Sequence, residues 1–241
     1  MAFIERPLGY SFDGHKFDGI LVYDDSVKGK RPAVFMEPDW DGAGAKAVDQ
    51  AKLVAGKDYV VYVADMFGDG YKPGTFDQKM AASKFVHDDI ARSRARGNKA
   101  MDVFMAEGGK LGLIDPARTG GVGYCFGAGC LFDLARQGRP FKALTAFHIT
   151  YPGTVDPAGS AKVKAAVLVI HGAEDPVTPR PAIHALEAEL DAAKVKWQTV
   201  MFSGAVHSFC DPEAKAGPTV YDPALAARSY ALMRNFFADH L

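Results

Sequence analysis

The segment Gly123-Tyr124-Cys125-Phe126-Gly127 combines a nucleophilic residue with closely spaced glycines. A predicted strand leads into it and a predicted helix leaves it, which is the setting of a G-x-nucleophile-x-G elbow. Side chains at Gly123 and Gly127 would clash where the strand and the helix pack closely. The helix N-terminus favours the thiolate of Cys125, and the N–H of Phe126 can stabilise an oxyanion. The segment therefore predicts a cysteine nucleophile.

A glycine-rich turn between a strand and a helix can alternatively bind phosphate. The spacing here matches neither G-x-G-x-x-G nor G-x-x-x-x-G-K-[ST]. The elbow is the favoured interpretation of the turn.

Candidate partners for the thiol follow two later predicted strands. Asp175 lies just past one buried strand, and His207 lies in the loop after the last strand. Their order after Cys125 is that of nucleophile, acid and histidine in α/β-hydrolases, and all three lie at carboxyl ends of strands. We expect His207 to act as the base and Asp175 to orient it. Glu174 and His171 are weaker candidates by position.

The remaining cysteines and histidines suggest packing more than metal binding. The chain has three cysteines, an odd number that argues against a disulfide framework, and Cys130 and Cys210 are expected to pack. His148 ends a predicted strand and could line the pocket. No C-x-x-C or H-E-x-x-H motif occurs, so no metal or cofactor is expected.

Composition limits the kinds of partner. The 241 residues carry a formal net charge of −1, which does not favour binding to nucleic acid. No run of eighteen apolar residues and no signal peptide is evident, so we expect a cytoplasmic protein that does not enter the membrane. We expect a monomer whose partner is a small-molecule substrate.

Short apolar runs alternate with helical patterns along the chain, which predicts an α/β fold with a mostly parallel central sheet flanked by helices. A hairpin around Asp13-Gly14 is expected at an antiparallel N-terminal edge. A long helical stretch is predicted over 76–108, and a solvated helix face is favoured there over an anion site. One domain over residues 1–241 is predicted. The predicted strands are 31–36, 57–66, 118–125, 142–149, 163–172 and 195–204, and the other helices are 45–56, 127–138, 179–194 and 223–241.

Together these motifs resemble the dienelactone hydrolase family of α/β-hydrolases, over nearly the whole chain. The residues that carry the resemblance are PAVFMEPDWDG (32–42), ADMFGDG (64–70), GVGYCFGAG (121–129), HGAEDPVTP (171–179) and GAVHSF (204–209). The resemblance implies an α/β-hydrolase fold, a Cys-His-Asp triad at Cys125, His207 and Asp175, and hydrolysis of a small ester or lactone.

The family also carries an acid that contacts the resting thiol, three residues before a glycine. That spacing selects Asp39, three residues before Gly42, over Glu37. The residue after the acid donates the second oxyanion N–H in the family, a role that Trp40 can fill and Pro38 cannot. The alternative is that Asp39 only caps the following helix.

A departure from the family concerns substrate charge. The arginine that binds the substrate carboxylate in the family's namesake, four residues after the histidine, is here Asp211. We therefore expect a neutral ester or lactone to be preferred, unless Asp211 serves only as a turn residue before Pro212.

Other functions stay open at this point. A thioesterase or a broad carboxylesterase would use the same triad, and a non-catalytic small-molecule binder could share the fold. A nucleotide-binding oxidoreductase is disfavoured because its glycine fingerprint is missing.

Overall fold

The computed structural model describes residues 2–152 and 156–241. The strands are β1 (Phe3–Pro7), β2 (Tyr10–Phe12), β3 (His15–Phe17), β4 (Ile20–Asp24), β5 (Arg31–Glu37), β6 (Val60–Val63), β7 (Ile114–Tyr124), β8 (Ala143–Phe147), β9 (Ala166–Gly172), β10 (Trp197–Phe202), β11 (Lys215–Ala216) and β12 (Thr219–Val220). The helices are α1 (Ala45–Ala55), α2 (Phe76–His87), α3 (Ile90–Lys110), α4 (Phe126–Arg136), α5 (Pro157–Ser160), α6 (Arg180–Ala192) and α7 (Pro223–His240).

Eight strands pair in the order β1-β4-β6-β5-β7-β8-β9-β10. Strand β5 pairs in parallel with β6, β8 with β9, and β9 with β10. The mostly parallel α/β sheet predicted from the alternating pattern is confirmed. All residues of β5 and β9 are buried, as expected of strands covered on both faces.

The chain divides into two compact units, Met1–Gly121 and Val122–Leu241. The first unit contains β1 to β6 and the helices α1 to α3. The second contains β8 to β12 and α4 to α7, and β7 passes through the boundary. The prediction of one domain over the whole chain is not tested by this division and stays a prediction.

The N-terminal edge of the sheet is antiparallel, as predicted. Strand β1 pairs antiparallel with β4, from Phe3 with Asp24 to Pro7 with Ile20. The turn at Asp13-Gly14 has positive φ at both residues, 50° and 78°, which suits a type I′ hairpin. It joins β2 and β3, which lie between β1 and β4 along the chain and form a separate two-stranded sheet.

The helical pattern predicted over 76–108 is two helices. Helix α2 ends at His87, and α3 begins at Ile90 after Asp89, whose carboxylate accepts a hydrogen bond from the N–H of Arg92. Aspartate is a strong N-cap, so it starts a new helix within a continuous polar pattern. The short elements α5, β11 and β12 have too few residues to give a periodic signal and were not predicted. Across the described helices, none is both long and apolar enough to cross a membrane.

Candidate active site

The turn after β7 holds Cys125 in an unusual backbone conformation. Its φ is 51° and its ψ is −120°, values that non-glycine residues rarely adopt. The N–H of Cys125 donates to Phe147 O at 3.0 Å, and its carbonyl accepts from the N–H groups of Ala128 and Thr150. These hydrogen bonds hold the strained backbone of Cys125 at the start of α4. Strained backbone of this kind is concentrated at active sites.

Close packing around this turn excludes side chains at two glycines. A Cβ at Gly123 would lie 2.5 Å from the Cα of Ala128, and a Cβ at Gly129 would lie 2.6 Å from the carbonyl oxygen of Tyr151. The carbonyl oxygen of Gly127 would be 2.9 Å from the Cβ at Gly123. Gly129 was not among the glycines assigned to the elbow, although its place in Gly127-Ala128-Gly129 was visible in the sequence.

Three side chains from separate loops of the second unit meet at the thiol. Nε2 of His207 lies 3.1 Å from Sγ of Cys125, and Nδ1 of His207 lies 2.6 Å from Oδ2 of Asp175. The exposed fractions of the three residues are 7%, 3% and 3%. The structure thus brings together the three residues that the chain order had grouped.

The imidazole of His207 is poised to carry charge. Burial opposes the charged form, but the negative charge of Cys125 and the hydrogen bonds with Asp175 and Cys125 outweigh it and raise the pKa of His207 to about 10. The arrangement can therefore hold an imidazolium beside Sγ of Cys125 at neutral pH.

The loop that carries Asp175 is fixed by its own carboxylate. Oδ1 accepts hydrogen bonds from the N–H groups of Val177 and Thr178 at 2.8 and 3.0 Å. Nε2 of His171 donates to the carbonyl of Thr178 at 2.8 Å and lies 3.5 Å from Oδ2 of Asp175. Burial lowers the pKa of His171, so this histidine is neutral and supports the turn.

The loop that carries His207 is held by the β11–β12 hairpin. The N–H of His207 donates to Pro218 O, and its carbonyl accepts from the N–H of Val220. Sequence reasoning missed this support, since strands of two residues leave no pattern.

His148 and Cys210 lie beside the three residues. His148 has a φ of 36°, and its ring meets that of His207 edge to face with centroids 4.8 Å apart. Sγ of Cys210 lies 3.3 Å from Nε2 of His148. Ligand atoms of Cys125, His148 and His207 all lie within 4.8 Å of one another.

The model of the dienelactone hydrolase family matches residues 17–241. The chain belongs to this family.

Relatives agree with this membership. The solved structure named m3DLH is 32% identical in sequence to the present chain, with a TM-score of 0.92 and full coverage of both chains. A dienelactone hydrolase-like promiscuous phosphotriesterase, P91, from metagenomic libraries is 29% identical, with a TM-score of 0.91 over 100% of this chain and 99% of its own. The uncharacterised protein K02A2.1 of Caenorhabditis elegans is 27% identical over 134 residues, 52% of this chain and 82% of its own. The fold is thus that of the α/β-hydrolases, and the family supports a hydrolase.

The acid expected to face the thiol in this family has its own partner in the first unit. Oδ2 of Asp39 lies 2.8 Å from Nζ of Lys46, and Oδ1 accepts from the N–H of Asp41 at 3.0 Å. Helix α1 is capped by Gly44 without a side-chain bond, so Asp39 does not cap that helix. The thiol-facing role of Asp39 stays a prediction.

Glu37, the other acid considered for that role, ends β5 and is fully buried. Neither carboxylate oxygen has a hydrogen-bond partner among the described residues. Burial, and then the charge of Asp65, raises the pKa of Glu37 to about 8. The Glu37 carboxyl is therefore mostly protonated at neutral pH.

The residue predicted to supply the second oxyanion N–H is Trp40. Its indole packs edge to face on Phe76 with centroids 5.5 Å apart, and Nζ of Lys79 lies 5.9 Å from the indole centroid. These contacts fix the side chain, while the roles of the Trp40 and Phe126 N–H groups stay predictions.

Asp211 is used in a turn of its own loop. Its Oδ1 accepts from the N–H of Glu213 at 2.9 Å, and its carbonyl accepts from the N–H of Ala214. The residue is 8% exposed. The turn role before Pro212 is thus present, and the effect of Asp211 on substrate charge stays a prediction.

Proposed function

We propose that this family member hydrolyses a small carboxylic ester or lactone through an acyl-Cys125 intermediate. The observation that carries the proposal is the chain of contacts from Sγ of Cys125 through His207 to Asp175, at 3.1 and 2.6 Å. Such a chain joins a nucleophile, a base and the group that orients the base.

In the first half-reaction, the thiolate of Cys125 attacks the carbonyl carbon and forms a tetrahedral oxyanion. As the oxyanion collapses, the bond to the leaving oxygen breaks, and the His207 imidazolium transfers its Nε2 proton to that oxygen. The alcohol leaves, and Cys125 carries the acyl group. In a lactone, the released alcohol stays joined to the acyl group.

In the second half-reaction, neutral His207 takes a proton from water, and the resulting hydroxide attacks the thioester carbon. Collapse returns the carboxylic acid and the thiolate, while His207 keeps the proton. Asp175 stabilises the charged imidazole in both halves. The cycle restores the thiolate–imidazolium pair and requires no redox partner.

The oxyanion is proposed to accept hydrogen bonds from the N–H groups of Phe126 and Trp40. Phe126 follows the nucleophile at the start of α4, where N–H groups point toward the helix N-terminus. Trp40 and the thiol-modulating role of Asp39 are proposed from the family resemblance and the spacing to Gly42.

The substrate is proposed to be uncharged near the scissile bond, because Asp211 stands where a carboxylate-binding arginine would be needed. The protein is also proposed to be cytoplasmic and monomeric. The similarity to a protein named as a promiscuous phosphotriesterase makes phosphotriesters a second class worth assaying, since a thiolate can also attack phosphorus.

A substrate panel with three cysteine variants tests the proposal. We expect turnover of neutral aryl esters and lactones, with kcat lowered by orders of magnitude in Cys125→Ala. Cys130→Ala is the matched control, since Cys130 is equally a buried cysteine of the same segment, and it should retain activity. Cys125→Ser should keep only a small fraction of the activity, because the hydroxyl ionises far less readily. Full esterase activity in Cys125→Ala would refute the proposal.

A further inference from the structure

Cys125, His148 and His207 form a compact group of potential metal ligands within the second unit. Each lies beyond the carboxyl end of a different strand: Cys125 after β7, His148 after β8 and His207 after β10. Their ligand atoms lie within 4.8 Å of one another, and the residues are 7%, 1% and 3% exposed. We propose that these three side chains bind Zn²⁺ or a similar borderline-soft divalent cation, and that the bound ion blocks the nucleophile.

The ligand types fit such an ion. Thiolate and imidazole are the ligands that zinc prefers, and three protein ligands with an open fourth position are common for it. Zn–S bonds of about 2.3 Å and Zn–N bonds of about 2.0–2.1 Å set tetrahedral ligand atoms roughly 3.3–3.8 Å apart. The Cys125–His207 distance of 3.1 Å is close to this spacing, and small side-chain rotations would adjust it and bring His148 in.

The surroundings of the two histidines match those of metal-bound imidazoles. A ligating histidine usually bonds through its other nitrogen to a carboxylate, and Nδ1 of His207 lies 2.6 Å from Oδ2 of Asp175. Sγ of Cys210 lies 3.3 Å from Nε2 of His148 and helps to hold that ring in place. Both rings are therefore oriented before an ion arrives.

Charge also favours a divalent cation. Sγ of Cys125 and the carboxylate of Asp175 lie on either side of the His207 ring, at 3.1 and 2.6 Å, in a buried place where a cation can pair with both groups. On binding, the ion replaces the proton shared by the sulfur and Nε2 of His207, and one proton passes to solvent.

The site leaves no sequence motif because its ligands lie on separate loops. The search for C-x-x-C and H-E-x-x-H tests only ligands close in the chain. Here the sheet brings distant positions together, and two of the ligands, Cys125 and His148, have positive φ. Binding of the metal ion does not depend on the proposed hydrolysis. The expected loss of turnover in the metal-bound protein rests on that proposed function.

Co²⁺, which reports on its ligands through absorption, is the probe for the test. We expect titration of the full chain, freed of metal by a chelator, to produce a thiolate-to-Co²⁺ charge-transfer band that Zn²⁺ displaces. The band should be lost in Cys125→Ala. His148→Asn should weaken Zn²⁺ binding by about tenfold or more, or 1.4 kcal/mol. Asparagine is chosen because it tolerates positive φ.

His184→Asn, at an exposed position of α6, and Cys130→Ala are the matched controls, and both should bind Co²⁺ like the wild type. In the unaltered protein, Zn²⁺ should protect Cys125 from iodoacetamide, as measured by mass spectrometry of the peptide. A Co²⁺ band that persists in Cys125→Ala, equal Zn²⁺ affinity in His148→Asn and His184→Asn, or unprotected Cys125 at saturating Zn²⁺ would each overturn the proposal. None of these outcomes depends on which substrate the protein hydrolyses.

Discussion

At the scale of single residues, Glu37 shows how burial sets the protonation of an acid. Asp39 is buried beside Lys46, whereas Glu37 is buried without a hydrogen-bond partner in the described part of the chain. Burial raises the pKa of Glu37 to about 8, so its ionised form is disfavoured in the folded state. The folded protein therefore holds this proton between about pH 4.5 and 8, where the unfolded chain has released it.

Replacing Glu37 tests this account through stability. Because the folded state binds the extra proton, stability due to Glu37 decreases as pH rises from about 4.5 to 8. Glu37→Gln removes the titrating group, so its free energy of unfolding relative to the wild type should increase over that window. We expect the difference to be a few kcal/mol at most, with one pKa unit equal to about 1.4 kcal/mol. Urea titrations at pH 5 and pH 8 measure it, and an identical difference at both pH values would be inconsistent with a raised pKa.

The raised pKa of His207 leads to a prediction for the rate. Its imidazolium persists up to about pH 10, so kcat/KM should decrease above that pH as the proton needed by the leaving group is lost. Asp175→Asn removes a negative charge that raises the pKa, so the falling limb should move to lower pH, together with a large loss of rate. The pH profiles of both proteins on one neutral ester provide the check. A falling limb at the same pH in both proteins would show that Asp175 does not raise the pKa of His207.

Several site residues could be predicted from residue types and order alone. Cys125, Asp175 and His207 each follow a strand of the main sheet, and their order is informative because parallel strands place their carboxyl ends together. The close approach of His148 and Cys210 could not be predicted, since it depends on a positive φ at His148 and on ring packing. The ion pair of Asp39 with Lys46 was equally hidden, because it depends on how the loop after β5 returns to α1.

At the scale of elements, loops at strand ends are held by close backbone approach. A Cβ at Gly172, the last residue of β9, would lie 2.5 Å from the carbonyl oxygen of Ala205 and 2.7 Å from that of Val206. These two residues directly precede His207, so the packing of β9 sets the position of the histidine loop.

Gly172→Ala should therefore displace that loop. We expect a loss of about 1–3 kcal/mol in stability, typical of overpacking, and a decrease in kcat larger than any change in KM. Gly109→Ala is the control, because a Cβ there meets nothing within 4 Å and Gly109 lies in the exposed end of α3. That control should keep full activity and gain about 0.5–1 kcal/mol. Unchanged kcat in folded Gly172→Ala would contradict the role of this contact.

The elements themselves were mostly predictable, because buried parallel strands give continuous apolar runs. The break between α2 and α3 at Asp88-Asp89 was not predicted, since both flanking segments are polar helices in the same pattern. The capping bond from Arg92 N–H to Asp89 decides the break. A capping hydrogen bond of this kind fixes a helix boundary in the structure, but the residue types alone do not reveal it.

At the scale of the whole molecule, the family and the fold followed from several moderate motifs spread along the chain. Their combination was specific because the fold requires each at a particular strand end. The substrate did not follow, since it depends on pocket shape and charge. The family model matches residues 17–241, a range that includes all of these motifs.

The state of association is a prediction for the whole molecule. We expect the 241-residue chain to be a monomer. Light scattering coupled to size-exclusion chromatography should give a mass near 25.9 kDa. A stable dimer at micromolar concentration would contradict this expectation.

The acyl-enzyme provides the most direct test of the central claim. The protein is mixed with a neutral activated ester, quenched with acid during turnover, digested and examined by mass spectrometry. Our account predicts a transient acyl mass on the peptide that contains Cys125, and greater accumulation in Asp175→Asn if deacylation is slowed. An acyl group on another residue, or steady turnover in Cys125→Ala without any adduct, would contradict it.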